Sequence, residues 1–282
     1  MGMAALELRG APVAASITAR LAPAIAGLKS RGVVPCLGVV RIGEREDDLS
    51  YERGLKKRFE ANGAAIRTAV LPEACAQAQL EEAISSLNGD PAVHGILLFR
   101  PLSKGLDSPS AEELVAPLKD VDGMTSANCG NLFLGRPGAF APCTAQAVME
   151  LLAYYEIPLQ GRRVTIVGRS AVVGKPLALL MLAANATPTL CHTKTADLAG
   201  ECRRGEIVVA CAGSAGMITP DMVSESAILV DVGINVENGR LVGDISGAAW
   251  EKAAAFTPVP GGVGAVTNAV LLSHVVESAL RA

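Results

Sequence analysis

Arg163-Val-Thr-Ile-Val-Gly-Arg-Ser-Ala-Val-Val-Gly-Lys-Pro-Leu177 is the stretch that decides the fold. Its first five residues read as a strand with no charge in its interior. Gly168 to Gly174 reads as a glycine-bearing turn, and Pro176-Leu-Ala-Leu-Leu-Met-Leu182 as an apolar helix. A strand, a glycine turn and a helix N-terminus make a phosphate-binding unit, because glycines admit backbone N–H groups close to a pyrophosphate and the helix end favours an anion. Arg169 adds a guanidinium able to meet a further phosphate through two parallel hydrogen bonds. The spacing G-x-S-x-x-x-G departs from the generic G-x-G-x-x-G fingerprint, so alone the string reads equally as a plain strand-to-helix turn.

Outward from this stretch, the second half of the chain continues the pattern: a helix over 143–155, the strand 163–167, a helix over 175–185, and strands at 187–191, 206–211 and 227–232. Residues 264–281 are periodic in apolar side chains and free of proline, which predicts a terminal helix. The first half alternates in the same way, with helices over 12–30, 49–62 and 76–88 between strands at 35–41, 65–70 and 94–99. Such alternation predicts α/β architecture with parallel sheets covered by helices. Residues 120–142 are rich in Gly, Pro and Asn without a sustained period. They mark a boundary between two α/β lobes, beside which ligands are expected.

The chain has 282 residues, half of them apolar, and a formal net charge of −3. That is enough for a sizeable core, and with no long run of one sign it gives no support to a nucleic-acid surface. The apolar stretches are broken by Pro, Gly or charge, and Glu7 and Arg9 precede the first of them, so neither a membrane span nor a secretory signal is expected. Met1-Gly-Met3 is set aside from the functional reading. Cysteines at 36, 75, 129, 143, 191, 202 and 211 lack a C-x-x-C pair, which fits reduced, mostly buried thiols in a cytoplasmic protein. His94, His192 and His274 are scattered without an H-E-x-x-H pattern, and no metal site is expected.

Five strings occur in one order: Lys119-Asp-Val-Asp-Gly123, the turn Gly168–Gly174, Cys191-His-Thr-Lys-Thr195, Asp231-Val-Gly-Ile-Asn235 and Thr257-Pro-Val-Pro-Gly-Gly-Val-Gly264. In this set and order the chain resembles the methylenetetrahydrofolate dehydrogenase/cyclohydrolase family over nearly its whole length. The resemblance implies a folate-binding catalytic lobe over 1–142, joined by the returning terminal helix 264–282. It also implies a Rossmann-type nicotinamide-dinucleotide lobe over 143–263, and a homodimer. It places the cofactor over Gly168, Arg169 and Ser170, with Thr193 and Ile234 further along. Where an NAD enzyme usually offers a carboxylate to the ribose, His192-Thr-Lys-Thr195 offers hydroxyls and a cation, which favours NADP. Lys194 reads equally as a solvated loop charge, which keeps NAD as the alternative. The resemblance sets Pro260, Gly261 and Gly262 at the reaction centre, although as a bare string they could cap the last helix, a role given to Gly264. It makes Asp122 the pterin ligand, since a guanidine-like edge presents donors to a carboxylate. Asp120 is expected to organise a turn.

The pattern breaks at two places. The family carries Tyr-x-x-x-Lys on the helix after the first long strand, its lysine credited with water activation, where this chain reads Tyr51-Glu-Arg-Gly-Leu55. The family carries Gln-Leu-Pro-Leu-Pro after the 93–98 strand, where this chain reads Phe99-Arg-Pro-Leu-Ser103. Lys56 lies one residue from the lysine position, about 100° around the helix, and Arg53 and Lys57 are also off its face. Hydride transfer needs alignment and exclusion of water, whereas hydrolysis of a methenyl cation needs a placed water and proton transfers. The reading is therefore an NADP-dependent dehydrogenase of methylenetetrahydrofolate, with Tyr51 and Asp122 positioning folate, Leu55 and Phe99 lining a drier pocket, and cyclohydrolase activity absent or weak. The alternatives are the bifunctional enzyme using Lys56, a relative acting on another pterin carrier, and a protein that only binds ligand.

Overall fold

A computed structural model describes residues 5–282; Met1–Ala4, including the three residues set aside above and the start of the expected first lobe, lie outside the described residues. The chain begins with β1 (Leu6–Glu7), α1 (Gly10–Ser30), β2 (Cys36–Ile42), α2 (Glu46–Ala61), β3 (Ala65–Leu71), α3 (Gln77–Gly89), β4 (Gly95–Leu98), α4 (Ser108–Glu113) and α5 (Ser126–Phe133). It continues with α6 (Cys143–Tyr154), β5 (Arg163–Val167), α7 (Gly174–Ala183), β6 (Thr187–Cys191), α8 (Leu198–Arg204), β7 (Ile207–Ala210) and β8 (Ile228–Asp231). Last come the hairpin strands β9 (Asn235–Glu237) and β10 (Arg240–Val242), α9 (Gly247–Lys252), β11 (Ala255–Phe256) and α10 (Gly264–Arg281). Two compact units result: Ser16–Cys143 with Asn268–Ala282, and the described residues up to Ala15 with Thr144–Thr267.

In the first unit β2 is the centre of a parallel three-stranded sheet, ordered β3-β2-β4. Every residue of β2 is buried, as a strand covered on both faces must be, and this explains its near-continuous apolar run. Cys36, Val40 and Ile42 pack with Leu80 and Ile84 of α3 and with Ile96 and Leu98 of β4. The exception to the apolar run is Arg41, whose charge is balanced by Glu52 of α2 at 2.9 Å, both side chains being buried.

In the second unit six parallel strands run in the order β1-β11-β8-β7-β5-β6. The chain winds from β5 out to β6 and returns to β7 on the other side. The end of β5 is thus a topological switch point, where open α/β sheets open a crevice for ligands. Val167, Val208, Leu229 and Cys202 fill one core cluster of this sheet. The Rossmann-type layout expected from Arg163–Leu177 is present.

Two features differ from the sequence reading. Leu6 and Glu7 pair with Ala255 and Phe256, so the chain's first strand is an edge of the second unit's sheet. A two-residue strand carries no period that a sequence reading could detect. By length and composition α1 could cross a membrane, which the broken apolar run had not suggested. Its Val13, Ile17, Ile25 and Leu28 are buried, and 28% of its apolar stretch is.

Candidate functional site

The turn after β5 is built by two glycines. Gly168 has φ of 136°, and a Cβ there would lie 2.3 Å from the Cys211 carbonyl oxygen. A Cβ on Gly174 would lie 1.9 Å from the Gly168 carbonyl oxygen. The turn therefore closes tightly on itself and on the end of β7. Arg169 and Ser170 stand exposed on it, and the Ser170 hydroxyl accepts a hydrogen bond from the Val173 N–H at 3.1 Å. At the start of α7 the Lys175 and Leu177 N–H groups donate to the Ser170 and Val173 carbonyl oxygens, and Pro176 has no N–H, so the turn itself and its exposed Arg169 and Ser170 are what face a ligand.

After β6, Thr193 and Lys194 are exposed on a turn tied by the His192 N–H donating to Thr195 Oγ1 at 2.9 Å and the Lys194 N–H donating to His192 Nδ1 at 3.1 Å. Ile234, 63% exposed, shares a pocket of about 330 Å³ with Gly233, Leu241, Pro258, Pro260, Gly261 and Gly262. The structure thus brings together Ile234 and the Pro-Gly-Gly turn, 26 residues and more apart in sequence.

A pair of carboxylates fixes the loops around this pocket. Asp244, fully buried, accepts from the N–H groups of Ala212, Gly213 and Ser214 at 2.7–2.9 Å and from Asn235 Nδ2 at 2.9 Å. Asp231, also buried, accepts from the N–H groups of Gly233, Asp244 and Ile245. Burial pushes the Asp231 carboxyl up to about 6, against the pull of those backbone donors. The string Asp231–Asn235 signalled one partner; Asp244 lay outside every quoted motif.

In the first unit, Tyr51 and Leu55 lie one turn apart on α2, and Phe99 follows β4. Leu55 is fully buried and Phe99 is 6% exposed. The Tyr51 and Phe99 ring centroids are 5.4 Å apart at 46°, and the Tyr51 hydroxyl donates to Asn268 Oδ1 at 3.1 Å. Desolvation, with the Asp122 carboxylate and Cys143 nearby, pushes the Tyr51 phenol well above its ordinary value. Asn268 was missed in sequence because a single polar residue on the apolar terminal helix carries no motif.

Lys56 turns to the other side of α2. Its Nζ lies 2.7 Å from Glu52 Oε1, and Glu52 also accepts from Arg41 Nε at 2.9 Å and from Thr68 Oγ1 at 2.6 Å. Burial acts to raise the Glu52 carboxyl; the hydrogen bonds from Lys56, Thr68 and Arg41 overcome it and hold the group low. Lys56 is thus committed to a buried carboxylate.

Asp120 organises its turn, accepting from the N–H groups of Met124 and Thr125, from Thr125 Oγ1 and from Asn128 Nδ2. Asp122 is held two residues on, before Gly123, whose φ of 66° and close approach to the Phe140 carbonyl oxygen suit no side chain. Burial raises the Asp122 carboxyl, opposed by Arg100, whose Nη2 is 3.4 Å from Asp122 Oδ2. Arg100 was quoted in the Phe99–Ser103 segment but given no role. The three histidines are separate: His94 Nδ1 accepts from the Cys36 N–H, His192 sits on its turn, and His274 Nδ1 is 2.8 Å from the Val121 carbonyl oxygen.

Residues 8–122 match the family model described as tetrahydrofolate dehydrogenase/cyclohydrolase, catalytic domain, and residues 142–282 match the NAD(P)-binding domain of the same description. The sequence is 44% identical over 276 residues to the bifunctional protein FolD of Carboxydothermus hydrogenoformans, covering 96% of each chain. Among solved structures, the bifunctional methylenetetrahydrofolate dehydrogenase/cyclohydrolase FolD of Campylobacter jejuni is similar with a TM-score of 0.96 and 39% identity over 99% of both chains. The Trypanosoma brucei dehydrogenase-cyclohydrolase, solved with NADP cofactor and an inhibitor, is similar with a TM-score of 0.94 and 34% identity, again over 99% of both chains.

Proposed function

The chain belongs to the tetrahydrofolate dehydrogenase/cyclohydrolase family, and on that premise we propose that it oxidises 5,10-methylenetetrahydrofolate to the 5,10-methenyl form with NADP as hydride acceptor, and that its cyclohydrolase activity is absent or very weak. The observation that carries the second half is the fully buried Leu55 at the position of the resembled lysine, with Lys56 bound to Glu52. A lysine held by a buried carboxylate at 2.7 Å would have to give up that ion pair, leaving Glu52 to Arg41 and Thr68, in order to serve as a base.

The residues present fit a dinucleotide. Gly168 and Gly174 let the turn after β5 close where no side chain would fit, leaving Arg169 and Ser170 exposed on it, and this supports Gly168, Arg169 and Ser170 as phosphate ligands with Thr193 and Ile234 along the same site. The bound nicotinamide supplies an acceptor for hydride. The chain's own contribution is to orient folate and to exclude water. Asp122 accepts from the pterin's donor edge, while Tyr51, with Phe99 packed on it, supplies a flat apolar wall. Leu55 and Phe99 offer no group to hold an attacking water or to move its proton. Loss of the substrate's hydride is assisted by its own ring nitrogen lone pair and needs no side-chain base. Pro260, Gly261 and Gly262 form the wall of the 330 Å³ pocket expected beside the reacting ring.

The test mixes protein with methylenetetrahydrofolate and NADP, follows methenyl formation by absorbance, and separately compares decay of added methenyltetrahydrofolate with the buffer rate. Reduction of NADP without accelerated decay is expected; accelerated decay would sink the dehydrogenase-only reading in favour of a bifunctional enzyme. For the cofactor, Arg169→Ala is expected to lower kcat/KM with NADP by about 10- to 100-fold, the scale of one lost charge-assisted hydrogen-bonded contact, and to leave kcat/KM with NAD nearly unchanged. Equal losses with both nucleotides would remove the 2′-phosphate role from Arg169.

A further inference from the structure

We propose that Arg100 is a positioning residue for the folate site: anchored by Glu112, it holds the Asp122 carboxylate charged and in place as an acceptor for the pterin. The proposal rests on the reading of Asp122 as the pterin ligand. Arg100 stands where the resembled Gln-Leu-Pro-Leu-Pro motif has its first leucine, so this charge arrives together with the loss of the neighbouring glutamine.

The geometry is a bridge between two carboxylates. Arg100 Nη2 lies 3.4 Å from Asp122 Oδ2 and 3.4 Å from Met124 Sδ, and Nη1 lies 3.5 Å from Glu112 Oε1. Glu112 is itself held on α4, where its Oε1 accepts from the Ser108 hydroxyl at 2.9 Å. The space lined by Ile96, Leu98, Arg100, Glu112, Asp120 and Asp122 is about 10 Å³. That is no more than a water-sized volume, and with 3.4 Å between Nη2 and Oδ2 the guanidinium touches the carboxylate directly and acts through it.

Asp122 needs such a partner. The other groups facing it are the Tyr51 phenol, the Cys143 thiol and Asp120. The first two are neutral, both raised mainly by burial, and Asp120 has the same sign as Asp122. Burial favours the protonated Asp122 carboxyl, and the Arg100 charge opposes it. A protonated carboxyl would turn a donor toward the pterin's own N–H groups.

The sign follows from this. Without the Arg100 charge, Asp122 holds its proton to higher pH, and folate binding is impaired most at low and neutral pH. The experiment measures KM for methylenetetrahydrofolate and kcat from about pH 6 to about pH 9 for the wild type, Arg100→Leu, Arg100→Gln, Arg100→Lys and Asp122→Asn. Arg100→Leu and Arg100→Gln are expected to raise KM about tenfold or more near neutrality with little change in kcat, a deficit that shrinks as pH rises. Arg100→Lys is expected to restore most of the loss, and Asp122→Asn to raise KM equally at every pH. An unchanged KM in the two neutral variants, or a rise independent of pH, overturns the proposal. If Arg100→Leu does not fold, Arg100→Gln, which keeps a polar side chain, is read by the same criteria. An unchanged KM in Asp122→Asn would instead overturn the reading of Asp122 itself, and the role of Arg100 with it.

Discussion

Leu55→Lys combined with Phe99→Gln is expected to raise methenyltetrahydrofolate hydrolysis by about 10²- to 10⁴-fold, the range that positioned acid–base groups supply. Position 55 lies one turn after Tyr51 on the buried face of α2, and Phe99 packs against the Tyr51 ring at 5.4 Å. The two substitutions therefore act on one wall of the same site. Each alone is expected to do much less. A lone ammonium at a fully buried position loses its proton to desolvation, and a lone amide there costs about 1–3 kcal/mol of unpaired polar group. The pair satisfies itself, so its effect on rate should exceed the product of the single effects. Decay of methenyl absorbance, corrected for buffer, measures all four proteins. A folded double variant that still reduces NADP yet hydrolyses at the buffer rate would show that residues 55 and 99 do not set the hydrolysis rate.

Asp244→Ala is expected to lower unfolding stability by about 4 kcal/mol and the melting temperature by roughly 10 °C, since three backbone N–H groups and Asn235 lose a common acceptor. A Cβ on Gly233 would sit 2.1 Å from Asp244 Oδ1, which shows how closely the backbone is wrapped around the carboxylate. Its neighbour Asp231 works in the opposite sense. Its folded value of about 6 lies above the ordinary 3.8, so between these values the folded state binds more protons than the unfolded one, and this group's contribution falls as pH rises through that window. Urea melts of wild type and Asp244→Ala near neutral pH measure the loss. A difference below about 1 kcal/mol would mean that solvent reaches the 212–214 loop and replaces the carboxylate.

The elements legible in the sequence are those with a sustained period. The strands at 36–42, 65–71, 163–167 and 187–191 and the helices α3, α6 and α10 fall within a residue or two of where periodicity sets them. The 120–142 stretch conceals α5, whose Gly130 and Asn131 weaken any helical signal, although Thr125 caps it with a side-chain acceptor. The hairpin β9–β10 and the helices α8 and α9 have three to seven residues each, too few for a period to emerge. In the candidate site, Gly168, Arg169, Ser170, Ile234 and Pro260 are singled out through the family resemblance of the strings that contain them. The Arg100–Asp122 and Asp244–Ala212 pairings could not be, because they join loops 22 and 32 residues apart through side chains that no local pattern links.

The edge strand β1 bears on how the protein is made. Leu6 and Glu7 pair with Ala255 and Phe256, 249 positions further along the chain. The nucleotide-binding sheet therefore cannot be completed until synthesis has passed Phe256. A gene fragment encoding residues 143–282 alone would yield a sheet whose β11 border presents unpaired N–H and C=O groups, an invitation to intermolecular strand pairing.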